Sequence, residues 1–142
     1  MTDAAARVLL RRQLEAHLCS LGYSCVRARR VAPPVPEIAR VSPVRGRIAY
    51  GETVLRRDLQ RRRCHVRLLS LSQRRTRRRS TILLFIAVAE RDRQDLEALL
   101  ERLNIQTGIR GGHVHVVTVA PVAVAARTKP RRSPAASSAR LK

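Results

Sequence analysis

The chain has 142 residues, enough for one domain, and sets 30 Lys and Arg against 10 Asp and Glu, a formal charge of +20. That excess points to a polyanionic partner, with nucleic acid ahead of an anionic membrane. It comes with no apolar run near the ~20 residues of a membrane span, and with Asp3 in place of a signal core before Arg11 and Arg12. A cytoplasmic, intracellular protein without a membrane partner is the expectation.

Hydrophobic content of 44% is globular, and the core it predicts is aliphatic, because Phe85, Tyr23 and Tyr50 are the only aromatic residues of the Phe, Tyr and Trp class. Cys19, Cys25 and Cys64 lack CxxC spacing, which predicts reduced, mostly buried thiols rather than a zinc site.

In chain order, Asp3 to Leu21 reads as a helix. Leu10, Leu14, Leu18 and Leu21 recur at spacings of four, four and three, and Gly22 stands where a helix ends. Tyr23 to Val31 alternates loosely as a strand until Ala32-Pro33-Pro34 breaks it. Pro36 to Val41 and Arg47 to Val54 read as two further strands, joined through Pro43 and Gly46 as a hairpin. Leu55 to Arg79 has the length of a helix, with Leu55, Leu59, Val66 and Leu69 on one face. Ile82 to Ala89 is continuously apolar and bounded by charge, as a strand covered on both faces is. Arg91 to Asn104 is an amphipathic helix, and His113 to Val119 a last strand after a loop holding Gly108, Gly111 and Gly112. The helix between Val54 and Thr81 makes a crossover, so the strands flanking it should be parallel.

Two acidic residues stand out. Glu37 and Glu52 lie in apolar, strand-like segments, fifteen residues apart across the hairpin. Carboxylates are rarely buried unless paired, hydrogen-bonded or bound to metal. One reading sets them together at a sheet edge, where they would hold a divalent cation near a polyanion. The other pairs them with Arg40, Arg45 or Arg47, their neighbours in sequence.

With the elements in this order, the chain resembles the PD-(D/E)XK superfamily of restriction-endonuclease-like nucleases. Its αβββαβ core follows the order read here from residue 3 to about 89. Glu15 matches an acidic residue of the first helix, Pro36-Glu37 the acid that opens the second strand, and Glu52 the acid that ends the third. Val54 stands where the family has lysine. The resemblance implies an α/β domain over residues 1–122, with a mixed sheet and helices on both faces, extended by a further helix and strand. A disordered basic tail is expected over residues 123–142. The resemblance further implies Mg²⁺ held by Glu37 and Glu52 with Glu15 assisting, and a metal-dependent phosphodiesterase ancestor. The missing lysine leaves its charge-stabilising role to Arg56, Arg57 or Gln60, which follow the strand. Arginine stabilises anionic oxygen but is a poor proton-transfer group, and Gln60 would orient a water without activating it.

Residues 55 to 80 hold eleven arginines against one acid, Asp58, a segment charge of +10. A solvated helix face would mix signs. Arg56, Arg57, Arg61, Arg62, Arg63, Arg74, Arg75, Arg77, Arg78 and Arg79 are therefore candidate phosphate contacts, giving affinity and salt dependence without sequence choice. So few aromatics offer no base-stacking platform. Cys64-His65 is expected to pack or to face solvent. His113 and His115, two apart on a strand, have a spacing that can chelate a metal, although a half-buried strand explains it as well. Three functions follow: a nucleic-acid-binding protein with a degenerate, Mg-dependent nuclease site; a non-catalytic basic module for DNA, RNA or ribonucleoprotein; and a subunit docking an acidic protein. DNA against RNA, and monomer against homodimer, stay open.

Overall fold

In the computed structural model, residues 2–24, 31–42, 47–75, 81–108 and 112–119 are described. Helix α1 spans Asp3–Ser20. It starts because the Thr2 hydroxyl accepts the Ala5 N–H at 3.1 Å, with Asp3 in the positive first turn. It stops at Gly22, whose φ of +95° suits a residue without a Cβ. There Gly22 N–H bonds the Cys19 carbonyl and Tyr23 N–H the Leu18 carbonyl, both at 3.0 Å, a Schellman closure. Between these ends Leu10, Leu14 and Leu18 form the buried stripe.

Strands β1 (Ile38–Val41) and β2 (Ile48–Val54) pair antiparallel, with Ile38 opposite Gly51. Strands β3 (Leu83–Ala89) and β4 (Val114–Val119) extend the sheet in parallel, in the order β1-β2-β3-β4. The hairpin, the crossover and the strand covered on both faces are as the sequence predicts. The expected strand over residues 23–31 falls largely outside the described residues. So do the tail, Cys25, Arg45, and Arg77 to Arg79.

The sheet has helices on both faces, and side-chain alternation divides the core accordingly. Ala49, Phe85 and Ala87 meet Leu10, Leu14 and Leu18 of α1. Tyr50, Val54, Leu84, Ile86 and Val88 face helices α2 (Arg62–Ser72) and α3 (Arg93–Arg102), represented by Leu68, Leu71, Leu96, Leu99 and Leu100. Each fully buried leucine is worth about 1.5–3 kcal/mol over an exposed one. Gly51 sets how closely α1 approaches, since a Cβ there would lie 2.9 Å from Leu14 Cδ2.

The segment after β2 differs from its expectation. A single helix from Leu55 to Arg79 is predicted; instead Arg56–Gln60 is a 3₁₀ turn, Arg61 is extended (φ −93°, ψ 128°), and α2 ends at Ser72. The cause is Asp58. Its Oδ2 accepts the Leu55 N–H at 2.9 Å, tying the chain into a tight turn before a helix can propagate. After that break α2 takes a new phase, in which Leu68 and Leu71 are buried and Val66 faces solvent. The Cys19 side of α1 is likewise exposed, contrary to the expectation of mostly buried thiols, while Cys64 is half-buried and its thiol is pushed up to about 11 by burial, then by Asp58 and Glu52.

Candidate functional site: an acidic pair held by arginines

Glu52 lies near the end of β2 on the face toward α2 and is only 3% exposed. A buried carboxylate needs a partner. Arg67, on the inner side of α2, supplies a fork: Nε reaches Glu52 Oε1 at 2.6 Å and an Nη reaches Oε2 at 2.9 Å. The Glu37 N–H donates to Oε2 as well, at 2.7 Å, so the side chain also pins β1's entry to β2. Arg67 in turn donates to the Val35 carbonyl. The hydrogen bond to Glu52 raises the Arg67 pKa above its ordinary value, against the effect of burial, so the guanidinium stays charged.

The Glu37 carboxylate is met by a different set. The Thr53 hydroxyl lies 2.6 and 2.9 Å from its two oxygens, and Arg7 of α1 stands 3.6 Å away. Burial raises the Glu37 pKa, the neighbouring Glu52 adds to this, and Thr53 and Arg7 oppose it. Arg7 does more: it donates to the Thr53 carbonyl and hydroxyl, each at 3.1 Å, and to Asp58 Oδ2 at 2.7 Å. One guanidinium thus joins α1, the end of β2 and the turn that breaks the next helix.

The predicted third acid is elsewhere. Glu15 accepts from Arg40 at 2.8 Å. Of the neighbours expected to neutralise Glu37 and Glu52, Arg45 lies outside the described residues, and neither Arg40 nor Arg47 pairs with them. Arg40 serves Glu15, and the acidic pair takes Arg7 and Arg67 from two helices. The Mg²⁺ that the resemblance implies would need free carboxylate oxygens on this pair. Glu52 is engaged from the α2 side and Glu37 from the α1 side, each on both oxygens. Among the described residues no three His, Cys, Asp or Glu side chains come together as a metal site. As arranged, the pair does not fit a divalent cation.

Val54, at the lysine position of the resemblance, is 1% exposed and part of the core. The residues proposed to replace the lysine are also placed. Arg56 binds the buried Asp92 at 2.9 Å and approaches Asp95 at 3.6 Å. Arg57 pairs with Asp3. Gln60 lines a cavity of about 740 Å³ at the carboxyl ends of β2, β3 and β4, walled by Leu9, Leu10, Val54 and Val119. Among the other candidate phosphate contacts, Arg74 donates to the Ala32 and Pro34 carbonyls and Arg75 to the Thr81 hydroxyl. Arg61, Arg62 and Arg63 are exposed and have no acidic partner among the described residues.

The histidine pair also separates. His113 donates from Nε2 to the Ser72 carbonyl at the end of α2, whereas His115 stacks on Phe85 on the α1 face. They do not form a chelating pair. His65 donates to the Leu59 carbonyl at 2.7 Å, so Cys64-His65 is a packed element of the α2 start, as expected.

Arg7, Thr53, Asp58 and Arg67 are the members of this network that sequence reasoning missed. The burial of Glu52 was legible; its partner was not, because Arg67 looks like any other residue of the arginine run. No family model, no curated protein and no solved structure matches this chain. No helix among the described residues is long and apolar enough to cross a membrane.

Proposed function

We propose that this chain is a nucleic-acid-binding domain on a restriction-endonuclease-like scaffold, in which the acidic pair holds elements together rather than a catalytic metal. The observation that carries the binding half is how the arginines are distributed. Arg7, Arg40, Arg56, Arg57 and Arg67 are consumed by acids, while Arg61, Arg62 and Arg63 crowd the exposed start of α2 with no acid in its first turn. The start of a helix is already positive, so three arginines there repel the helix dipole and one another. A phosphate backbone reverses that cost, taking up both the side-chain charge and the free backbone N–H groups.

The scaffold half is supported by the α1, hairpin, crossover helix and parallel strand in succession, with acids at the two matching positions. Against catalysis stand Val54 in the core and both carboxylates bonded to arginine, hydroxyl or backbone. Contacts of this type give affinity without base discrimination.

The test is incubation of the protein and its Glu52→Ala variant with supercoiled plasmid and labelled RNA, with Mg²⁺ or Mn²⁺ and with chelator. The expected result is a mobility shift without cutting, indifferent to chelator. Metal-dependent cutting that disappears in Glu52→Ala would overturn the non-catalytic reading and make Arg67 a gate that the cation displaces. Binding to an acidic protein with no affinity for nucleic acid at moderate salt would overturn the choice of partner.

A further inference from the structure

Phe85, Tyr23, His17 and His115 come from three separate stretches of chain and meet at one open cleft of about 710 Å³. The cleft lies on the α1 face, between the end of α1 and the outer strand β4, where α1 leaves β4 only half covered. Phe85 is its floor, 4% exposed. The His115 ring lies over Phe85, with centroids 5.0 Å apart and planes at 23°. His17 and Tyr23 approach Phe85 edge-on, at 5.9 and 6.3 Å. The Schellman turn after Leu18 is what brings Tyr23 round to this position. Gly108 leaves room for the His115 imidazole: a Cβ there would come within 2.6 Å of its Cε1. Leu21, 52% exposed, forms an apolar lip.

The hydrogen bonding of the imidazoles is uneven. His65 and His113 are each bonded to a backbone carbonyl. The imidazole rings of His17 and His115 make no hydrogen bond to another described residue, and these are the two that line the cleft. Burial, then His113 and His17, lower the pKa of His115, so near neutral pH it is uncharged, with one donor and one acceptor nitrogen. Burial likewise raises the Tyr23 pKa and keeps the phenol neutral. Flat ring faces with a neutral His115 edge and a second unpaired imidazole edge at His17 match a planar heterocycle better than a cation. Two imidazoles without a third ligand among the described residues do not make a metal site.

We propose that this cleft binds a planar nitrogen heterocycle of the nucleobase class, packed against the Phe85–His115 stack and hydrogen-bonded by the His115 and His17 edges. Exposed Arg47, whose charge reaches Tyr23, stands at the same end to meet a phosphate on the ligand. The nature of the occupant rests on the nucleic-acid reading. Binding of the ring itself does not, since the cleft is on the opposite face of the sheet from α2. The expectation from the sequence, that too few aromatics leave no stacking platform, counted no histidine rings; here two of the four rings are imidazoles.

The experiment is a titration of the full chain with adenosine, cytidine, adenosine monophosphate and inorganic phosphate, read from the ¹H–¹³C signals of the histidine Cε1–H groups. Saturable shifts at His17 and His115 with the phosphate-free nucleosides, and none at His65, are expected. His115→Leu and Gly108→Ala should each weaken binding about tenfold or more, the scale of losing one base stack, with the His65 signal marking an intact fold. The proposal is overturned by no saturable shift up to about 10 mM nucleoside, which would still report millimolar binding. It is equally overturned by unchanged affinity in His115→Leu, or by shifts with phosphate and the monophosphate alone. Charge reversal of Arg61, Arg62 and Arg63 should weaken the mobility shift with nucleic acid and leave the nucleoside titration intact, so each proposal can fail without the other.

Discussion

Replacing Arg67 with alanine removes the fork that neutralises Glu52, and its cost follows from the geometry. The Glu52 side chain is 4% exposed and would keep a single described hydrogen bond, from the Glu37 N–H. Stripping one partner from a buried ion pair costs roughly 3–5 kcal/mol. The Arg67 side chain is 31% exposed, so water enters part of the space it vacates and lowers the penalty. A loss of about 2–4 kcal/mol is expected, a large share of the ~5–15 kcal/mol that holds a domain of this size. With an unfolding entropy near 2 cal/mol/K per residue, that is a fall in Tm of roughly 7–14 °C. Adding Glu52→Gln to Arg67→Ala removes the stranded charge and should recover part of it. Thermal and urea melts of the two single variants and the double variant, with Mg²⁺ and with chelator, give the coupling directly. A Tm change within about 2 °C for Arg67→Ala would refute the reasoning, since the pair would then behave as an exposed one worth under ~1 kcal/mol. Rescue of Arg67→Ala by Mg²⁺ would show that the arginine occupies the place of a cation.

Gly51→Ala should cost about 1–3 kcal/mol in urea unfolding, because its methyl would lie 2.9 Å from Leu14 Cδ2 and 3.0 Å from the Ile38 Cβ, two fully buried residues that must shift to admit it. Reversing Arg61, Arg62 and Arg63 to glutamate should weaken nucleic-acid binding and flatten the slope of log K against log salt by up to roughly 3, measured by fluorescence anisotropy; an unchanged slope would show that these residues do not touch phosphate. The folded-state pKa of His115 lies below its unfolded value near ~6.5, so the unfolded chain binds the extra proton. Stability from this group is present above ~6.5 and is lost as pH falls toward the lowered value. Melts between about pH 7 and pH 5 should show this slope, and His115→Gln should reduce it.

Periodicity made α1 legible, because one leucine stripe is buried by one helix and nothing else competes for it. The same held for β3, whose apolar run admits only a covered strand. Leu55 to Arg79 was misread because its leucines fit a continuous helix as well as they fit a turn and a rephased one. What decides between them is the Asp58 bond to Leu55 and its bridge to Arg7, a residue 51 positions away. A pattern within one segment cannot register a clamp supplied from another. The acidic pair divides in the same way: that Glu52 is costly to bury follows from its neighbours in sequence, whereas Arg67 becomes its partner only after the break at Arg61 sets the face of α2. The ring cluster was hidden because each of its members, taken alone in its own segment, has an ordinary packing role.

Helix α1 also has a history in time. Its leucine stripe is made before its cover: Ala49 arrives later, and Phe85 and Ala87 later still. At ~5–20 residues per second, the interval between Leu18 and Phe85 lasts several seconds. Throughout it a half-apolar helix stands in the open, beside a hairpin that can form by itself but offers only part of the surface the helix needs. The parallel pairing of β2 with β3, which completes that surface, must wait for the whole crossover between them. The nascent chain therefore has a long interval in which α1 is available to any other apolar surface, and a synonymous slow stretch of translation between residues 18 and 85 would lengthen it without altering the finished protein.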